Sequence, residues 1–383
     1  MIKRLSESLF KLCLGISAVF IFVPAIHQAQ VIENPANLML KNAGRVLEAK
    51  EVLVISDEGT DKFYFKSPWG IKISPGGSVF IKDEKQLLQF DKDGRFLCNL
   101  FKEGQGPGEM EYVTTCLFTD NNVIVQAGSP DKLLWFDYAG NFIRQIPVRT
   151  AFRSRLTALI KEGRVFYLLS EEIPRPMGEP HILDVPNAIL ALNETSGEIR
   201  KLNSFPTKVL AAASPGGGGA MQLIDSIIAV PFKRNLLVLS HSREYLIKIY
   251  DPAADKVVKE FRRVYKRKNS EPLPDGQSRG GVMLGNKPFR PPDQKYQCDV
   301  YNIFCRGEEI WAVTSTRERN KGILIDIFDS EGTYRDCFYL KLPESALRSI
   351  VQPPFCALQG DYLWIRERTD AETYSLKKYR IVG

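Results

Sequence analysis

Three stretches of the chain carry an apolar run into arginine: Ser240-His241-Ser242-Arg243-Glu244, Ser315-Thr316-Arg317-Glu318-Arg319-Asn320-Lys321 and Ile365-Arg366-Glu367-Arg368-Thr369-Asp370. A guanidinium is permanently charged and planar, and its forked N–H donors fit a carboxylate or similar oxyanion through two parallel bonds. His241, Arg243, Arg317, Arg319, Arg366 and Arg368 are therefore the candidate ligand-binding residues, and an anion is the chemistry they suit. The competing reading is solvated loop charge, in which exposed Arg–Glu pairs contribute little. Recurrence at one point of a repeated strand pattern keeps the site reading in play.

Catalytic readings lack parts. Beyond the N-terminal leader only His181 and His241 remain. Two histidines with distant carboxylates give weak support to a metal-dependent lyase such as the peptide-amidating propellers. A lactonase-like site could set Asp, Glu and Asn around a divalent cation, but no spacing selects such ligands. There is no evident Ser/His/Asp set. No catalytic residue, metal ligand or cofactor is assigned.

The elements that must hold these side chains show as a repeat. An apolar strand ends in an aromatic residue or Leu, then come Asp or Asn, a short turn and a second strand. Clear copies run Leu87 to Leu97, Leu133 to Ile143 and Leu324 to Tyr334; looser ones run Ile189 to Ile199 and Leu246 to Val258. Asp starts each turn, and Gly94, Gly140 and Gly332 supply the positive φ it needs. Two further strand-like runs precede each hairpin, as in Gly70-Ile71-Lys72-Ile73-Ser74 and Ser78-Val79-Phe80-Ile81-Lys82.

Four strands per unit make a propeller blade. Blades are expected near 66–101, 112–149, 155–205, 224–265, 298–342 and 353–381. The sixth lacks its outermost strand, while Glu51-Val52-Leu53-Val54-Ile55-Ser56 is a spare strand upstream of the first. Pairing the two would close the ring and hide two open edges. The predicted fold is an all-β, six-bladed β-propeller closed by an N-terminal strand. An open sandwich explains neither the missing strand nor the spare one.

Gly104-Gln105-Gly106-Pro107-Gly108-Glu109-Met110 lies between two blades. It resembles the G-x-G-P-G-E signature of bacterial exported six-bladed propellers related to the NHL-repeat proteins. The motif is not a phosphate loop, because no Lys-Ser/Thr follows it and no helical pattern begins. Its physical reading is a tight inter-blade crossing, with Gly for unusual backbone angles and Pro for rigidity. The resemblance implies the fold and no particular activity.

In such a ring, second-to-third loops and blade crossings open on one face. The elaborations gather there: the Gly104–Met110 crossing, the insert from Glu171 to Pro186, the crossing with Gly216 to Gly219, and the long Lys266–Lys295 segment. Variable loops on a rigid scaffold are the usual place for binding. The Ser270–Lys295 part, rich in Pro, Gly and charge, reads as a mobile loop.

At the N-terminus Lys3, Arg4 and Lys11 precede an apolar run from Leu12 to Ile26. The run is shorter than the about 20 residues of a bilayer span, so 1–29 reads as a signal peptide and 30–383 as one propeller domain, with an uncleaved anchor as the alternative. No later segment is apolar for long enough to span a bilayer, and no membrane insertion is expected once the signal is gone. The expected location is exported: periplasm, cell surface or medium. Six cysteines follow the signal without a C-x-x-C pair, and most stand in apolar strand patterns as buried thiols do, although an even count in an exported chain also permits disulfides.

The formal charge of +7 and the run Arg262-Arg263-Val264-Tyr265-Lys266-Arg267-Lys268 could suit nucleic acid, but export argues against it. An anionic envelope polymer or an acidic protein partner fits better. The expectation is a non-catalytic propeller that binds a ligand or protein through its elaborated face. The alternative is a metal-assisted hydrolase or lyase using the same funnel.

Overall fold

The computed structural model of the chain describes residues 30–37, 42–128, 131–149, 154–172, 180–213, 219–270, 282–284, 287–289, 293–369 and 373–383. The expected signal at 1–29 lies outside them, as do parts of the loops at 173–179, 214–218 and 271–281.

The repeated phrase folds into antiparallel sheets, and burial follows position in the blade. In blade one the second and third strands, Val79–Asp83 and Gln86–Phe90, are buried throughout, whereas the outer strand Phe96–Asn99 alternates. Middle strands lie between two neighbouring blades, so both faces are covered and apolar residues run without a break. The outer strand meets solvent on one side.

Blades one and two span residues 69–99 and 112–147, three and four 154–213 and 227–263, and five and six 300–341 and 356–382. The first strands of successive blades lie side by side from two to six, and six returns to one. Six apolar clusters each span one blade interface; that between six and one gathers Trp364 and Leu376 with Ile71, Val79 and Phe90. The described cysteines are all free thiols, and burial pushes Cys116, Cys305 and Cys356 up to about 12.

Ring closure uses the expected spare strand, which runs longer than the sequence indicated. Arg45–Ile55 pairs antiparallel with the last strand of blade six over Glu48 to Ile55, and its first residues pair in parallel with the outer strand of blade five. A second N-terminal strand, Val31–Asn34, adds in parallel to the outer edge of blade four.

The turn of the repeat has one geometry. Oδ1 of Asp91, Asp137 and Asp329 accepts from the N–H groups two and four residues on, at 2.8–2.9 Å. Gly94, Gly140 and Gly332 have φ of +83°, +88° and +80°. A Cβ at these glycines would fall 2.8 Å from Leu53, 3.0 Å from Cys98 Sγ and 2.7 Å from Phe261. Each contact is with the outer strand of the preceding blade, so the glycine serves both the turn and the close approach. Leu53 of the closing strand stands where Cys98 and Phe261 stand elsewhere, which makes that strand the fourth of blade six.

Blade three departs from the expected plan. The insert from Glu171 to Pro186 was expected as a loop, yet His181–Asn193 is one strand, paired with Ile199–Ala213. Pro186 faces Pro206, so the missing N–H donors fall opposite each other and the hairpin continues past both. Gly219–Leu223 folds back as a fifth strand. The expected mobile loop at Ser270–Lys295 contains a short hairpin, Val282–Leu284 with Lys287–Phe289, whose first strand lies against this extended arm.

Candidate functional site

The G-x-G-P-G-E crossing is structural. Glu109 turns back on its own loop, and its Oε2 accepts the Gly106 N–H at 2.9 Å. A Cβ on Gly104 would lie 2.1 Å from that oxygen, and one on Gly108 2.9 Å from the Phe142 ring. Met110 is fully buried, and its N–H donates to the Lys102 carbonyl at 2.8 Å. The motif folds a loop onto Glu109 and seats it on blade two.

The arginine-bearing strand ends meet three fates. In blade four, Arg243 donates from Nη1 to the Tyr296 carbonyl at 2.9 Å and from Nη2 to the Ile224 carbonyl at 3.0 Å. The backbone N–H of Arg243 donates to His241 Nδ1 at 3.2 Å, and His241 Nε2 lies 3.5 Å from Asp225 Oδ2. Both ring nitrogens are therefore engaged, and His241 has no free nitrogen with which to act as a base. Arg267 joins this set through Asp299 at 3.0 Å and the Arg243 carbonyl at 2.8 Å.

In blade five, Arg317 pairs with Glu344 at 3.2 Å and Arg319 stands exposed at the loop tip. Beneath them lies a buried joint: Asp326 accepts from Arg263 Nε at 2.7 Å, from the Tyr334 hydroxyl at 2.8 Å and from the Tyr245 hydroxyl.

In blade six, Arg366 and Arg368 open on a cavity of ≈ 570 Å³. Its other wall is α1, Glu344–Ile350, in the crossing from blade five, which contributes Ser345, Arg348 and Ser349; Gln352 follows it. Pro343 precedes α1, and Ala346, Leu347 and Ile350 form its buried stripe, a helical spacing legible in the sequence but not singled out there. The Arg366 guanidinium lies 3.5 Å from the Phe355 ring centroid and 5.2 Å from that of Tyr374. Burial first, and the neighbouring Arg368 charge as well, hold it below its ordinary pKa.

The nearby carboxylates are engaged. Glu344 holds Arg317, while Glu367 accepts from Ser345 Oγ at 2.7 Å and from the Tyr379 hydroxyl, with Lys377 at 3.5 Å. Asp83 accepts the N–H groups of Lys66 and Ser67. Arg348 and Arg366 have no carboxylate partner among the described residues.

The structure thus places Arg366 and Arg368 on one cleft, with Arg317 reaching it only through Glu344, and sets Arg243 apart with His241, which lines a separate cavity of ≈ 350 Å³ between blades three and four. The residues missed in the sequence are Arg348, Phe355 and Tyr374. Among the described residues no group of three or more His, Cys, Asp or Glu side chains is placed to hold a metal ion, and no helix is long and apolar enough to cross a membrane.

Residues 36–173, which hold the closing strand and blades one and two, match the family DUF5128, described as a 6-bladed beta-propeller. Among solved structures, a "putative exported protein" from Bacteroides fragilis superposes with a TM-score of 0.51 at 12% identity, covering 92% of this chain and all of that one. A gluconolactonase from Xanthomonas campestris gives a TM-score of 0.42 at 11% identity, covering 93% and 99%. A protein of unknown function from Bacteroides caccae gives 0.38 at 12%, covering 78% and 94%. Likeness at such identity speaks to fold alone. No curated protein matches the chain significantly.

Proposed function

We propose that this six-bladed β-propeller is an exported, non-catalytic binding protein that takes a small anionic ligand in the cleft between α1 and the second-to-third loop of blade six. The observation that supports it most is the charge balance of that cleft. Arg348 and Arg366 line it without a carboxylate partner among the described residues, and Glu344 at its rim is held by Arg317. Arg366 is half-buried beside the Arg368 charge, and such a cation gains from an incoming anion. The cavity is within the usual size range for small-molecule sites, about 300–1,000 Å³. Export rests on the basic and then apolar leader at residues 3–26.

Thermal denaturation in the presence of small carboxylates, sulfate and phosphate tests the reading. An anion at a hundred times its Kd should stabilise the fold by about 2.7 kcal/mol, raising Tm by several degrees. Arg366→Ala should abolish that shift. A flat panel, or a shift that survives Arg366→Ala, sinks the proposal.

A further inference from the structure

We infer that Lys72, at the innermost seam between blades one and two, is a nucleophilic amine that captures small aldehydes as an imine. The site is separate from the blade-six cleft and does not depend on it. Lys72 lies on the first strand of blade one, Trp69–Ile73, where it pairs with Phe80 of the second strand. Residues paired across an antiparallel sheet share a face. That face is turned to blade two, since Phe80 packs there with Val113 and Cys116, while Ile71 and Ile73 pack toward blade six. Around the ring the first strands of blades one and two approach each other least. Lys72 stands at this gap, enclosed by protein yet still partly exposed.

Nothing there holds the amine as an ammonium. Among the described residues no carboxylate pairs with Lys72 and no hydrogen bond engages its Nζ. The titratable group that faces it is the Cys116 thiol, from the first strand of blade two. Burial pushes that thiol up to about 12, so it stays neutral and supplies no counter-charge. Burial also lowers the Lys72 pKa, with Cys116 opposing. An amine kept from water without a counter-ion is the state in which a lysine becomes a nucleophile.

The chemistry needs no oxidant or reductant. Nζ adds to the carbonyl carbon and passes a proton to the oxygen; the carbinolamine then loses its hydroxyl and the second Nζ proton as water, leaving a C=N bond. An anion suits the seam poorly, because it would leave water for a place beside Phe80 and Cys116 with one donor group to receive it. A small aldehyde is neutral and enters without that cost.

The test is reductive alkylation of the full chain with acetaldehyde and cyanoborohydride near neutral pH, with peptide mapping by mass spectrometry to follow each lysine. Hydride from the reductant adds to the imine carbon and a proton to Nζ, which fixes the adduct as an ethylamine. Lys72 should be labelled several times faster than the exposed Lys50 and Lys256. The advantage should vanish in urea, where burial is lost, and shrink toward about pH 10, where exposed amines also lose their protons. Cys116→Asp, which sets a carboxylate beside the amine, should slow Lys72, and Cys116→Ser should not. The wild-type comparison decides alone if the aspartate variant does not fold. Labelling slower than that of the exposed lysines, or an advantage that persists in urea, overturns the inference and leaves the anion reading of blade six standing.

Discussion

Blades four and six each end their second strand in arginine, and the two arginines do opposite things. Arg243 is mortared in place, with two backbone carbonyls on its guanidinium and His241 and Asp225 locked beside it. Arg366 makes one hydrogen bond, from Nη1 to the Pro68 carbonyl, and lines a cleft. The difference lies in what the next crossing delivers. The crossing from blade four to five is long and doubles back, bringing the Tyr296 carbonyl and Asp299 to the joint. The crossing from five to six is short and coils into α1, which is tied to blade six through Ser345 and Ser349 yet leaves a cleft beside Arg366. The same local pattern gives a joint where partners are supplied and a candidate site where they are not.

The largest expected effect is in the second buried joint, between blades four and five. Asp326 is fully buried and holds the 7%-exposed Arg263 side chain together with two tyrosine hydroxyls. Asp326→Ala leaves a buried, unpaired guanidinium, a change that costs about 3–5 kcal/mol. Urea denaturation should show that loss, while Glu344→Ala, which breaks an exposed pair at the cleft rim, should stay within about 1 kcal/mol. Similar losses for the two variants would erase the distinction between joint and cleft.

Why the sequence showed the ring and not this distinction follows from the physics of each. The blades are legible because Asp91, Asp137 and Asp329 with their glycines repeat one local turn, whose requirements are written within five residues. Closure is legible because a blade short of a strand and a strand without a blade must meet. Val31–Asn34 is not legible, because four residues added to an edge carry no periodicity of their own. The blade-three arm is hidden by Pro186 and Pro206, which read as loop residues singly and are tolerated only because they face each other. The candidate arginines were visible as residues. Whether each one is engaged depends on Tyr296, Pro68 and Phe355, which are distant in sequence or act through backbone atoms.

A second pair of variants crosses stability with binding. Arg243→Ala removes two hydrogen bonds to backbone carbonyls and should cost about 1–3 kcal/mol in stability. It should leave the response to anions unchanged. Arg366→Ala should do the reverse, abolishing the anion response with a smaller loss of stability, since it gives up one 3.3 Å bond and its ring stacking. If Arg243→Ala abolishes the anion response, blade four belongs to the site after all.

The smallest expected effect is a difference in acid sensitivity. Burial alone would raise the Asp225 carboxyl, but hydrogen bonds from His241 and the Lys208 N–H, with the charges of His241 and Arg243, outweigh it and hold the pKa below its ordinary 3.8. A carboxyl depressed by folding contributes stability that is fully present above its unfolded pKa and lost as pH falls through the folded one. Wild type should therefore lose stability between about pH 4 and pH 2 more steeply than Asp225→Asn, which has no proton to take up there. Glu33, Asp137, Glu318 and Asp329 are also held low and titrate in the same range, so the slope difference between the two proteins isolates Asp225. Urea midpoints taken across that range measure it. Parallel curves would mean that Asp225 does not fasten blade four to the arm of blade three, and that the joint rests on Arg243 and Asp299 alone.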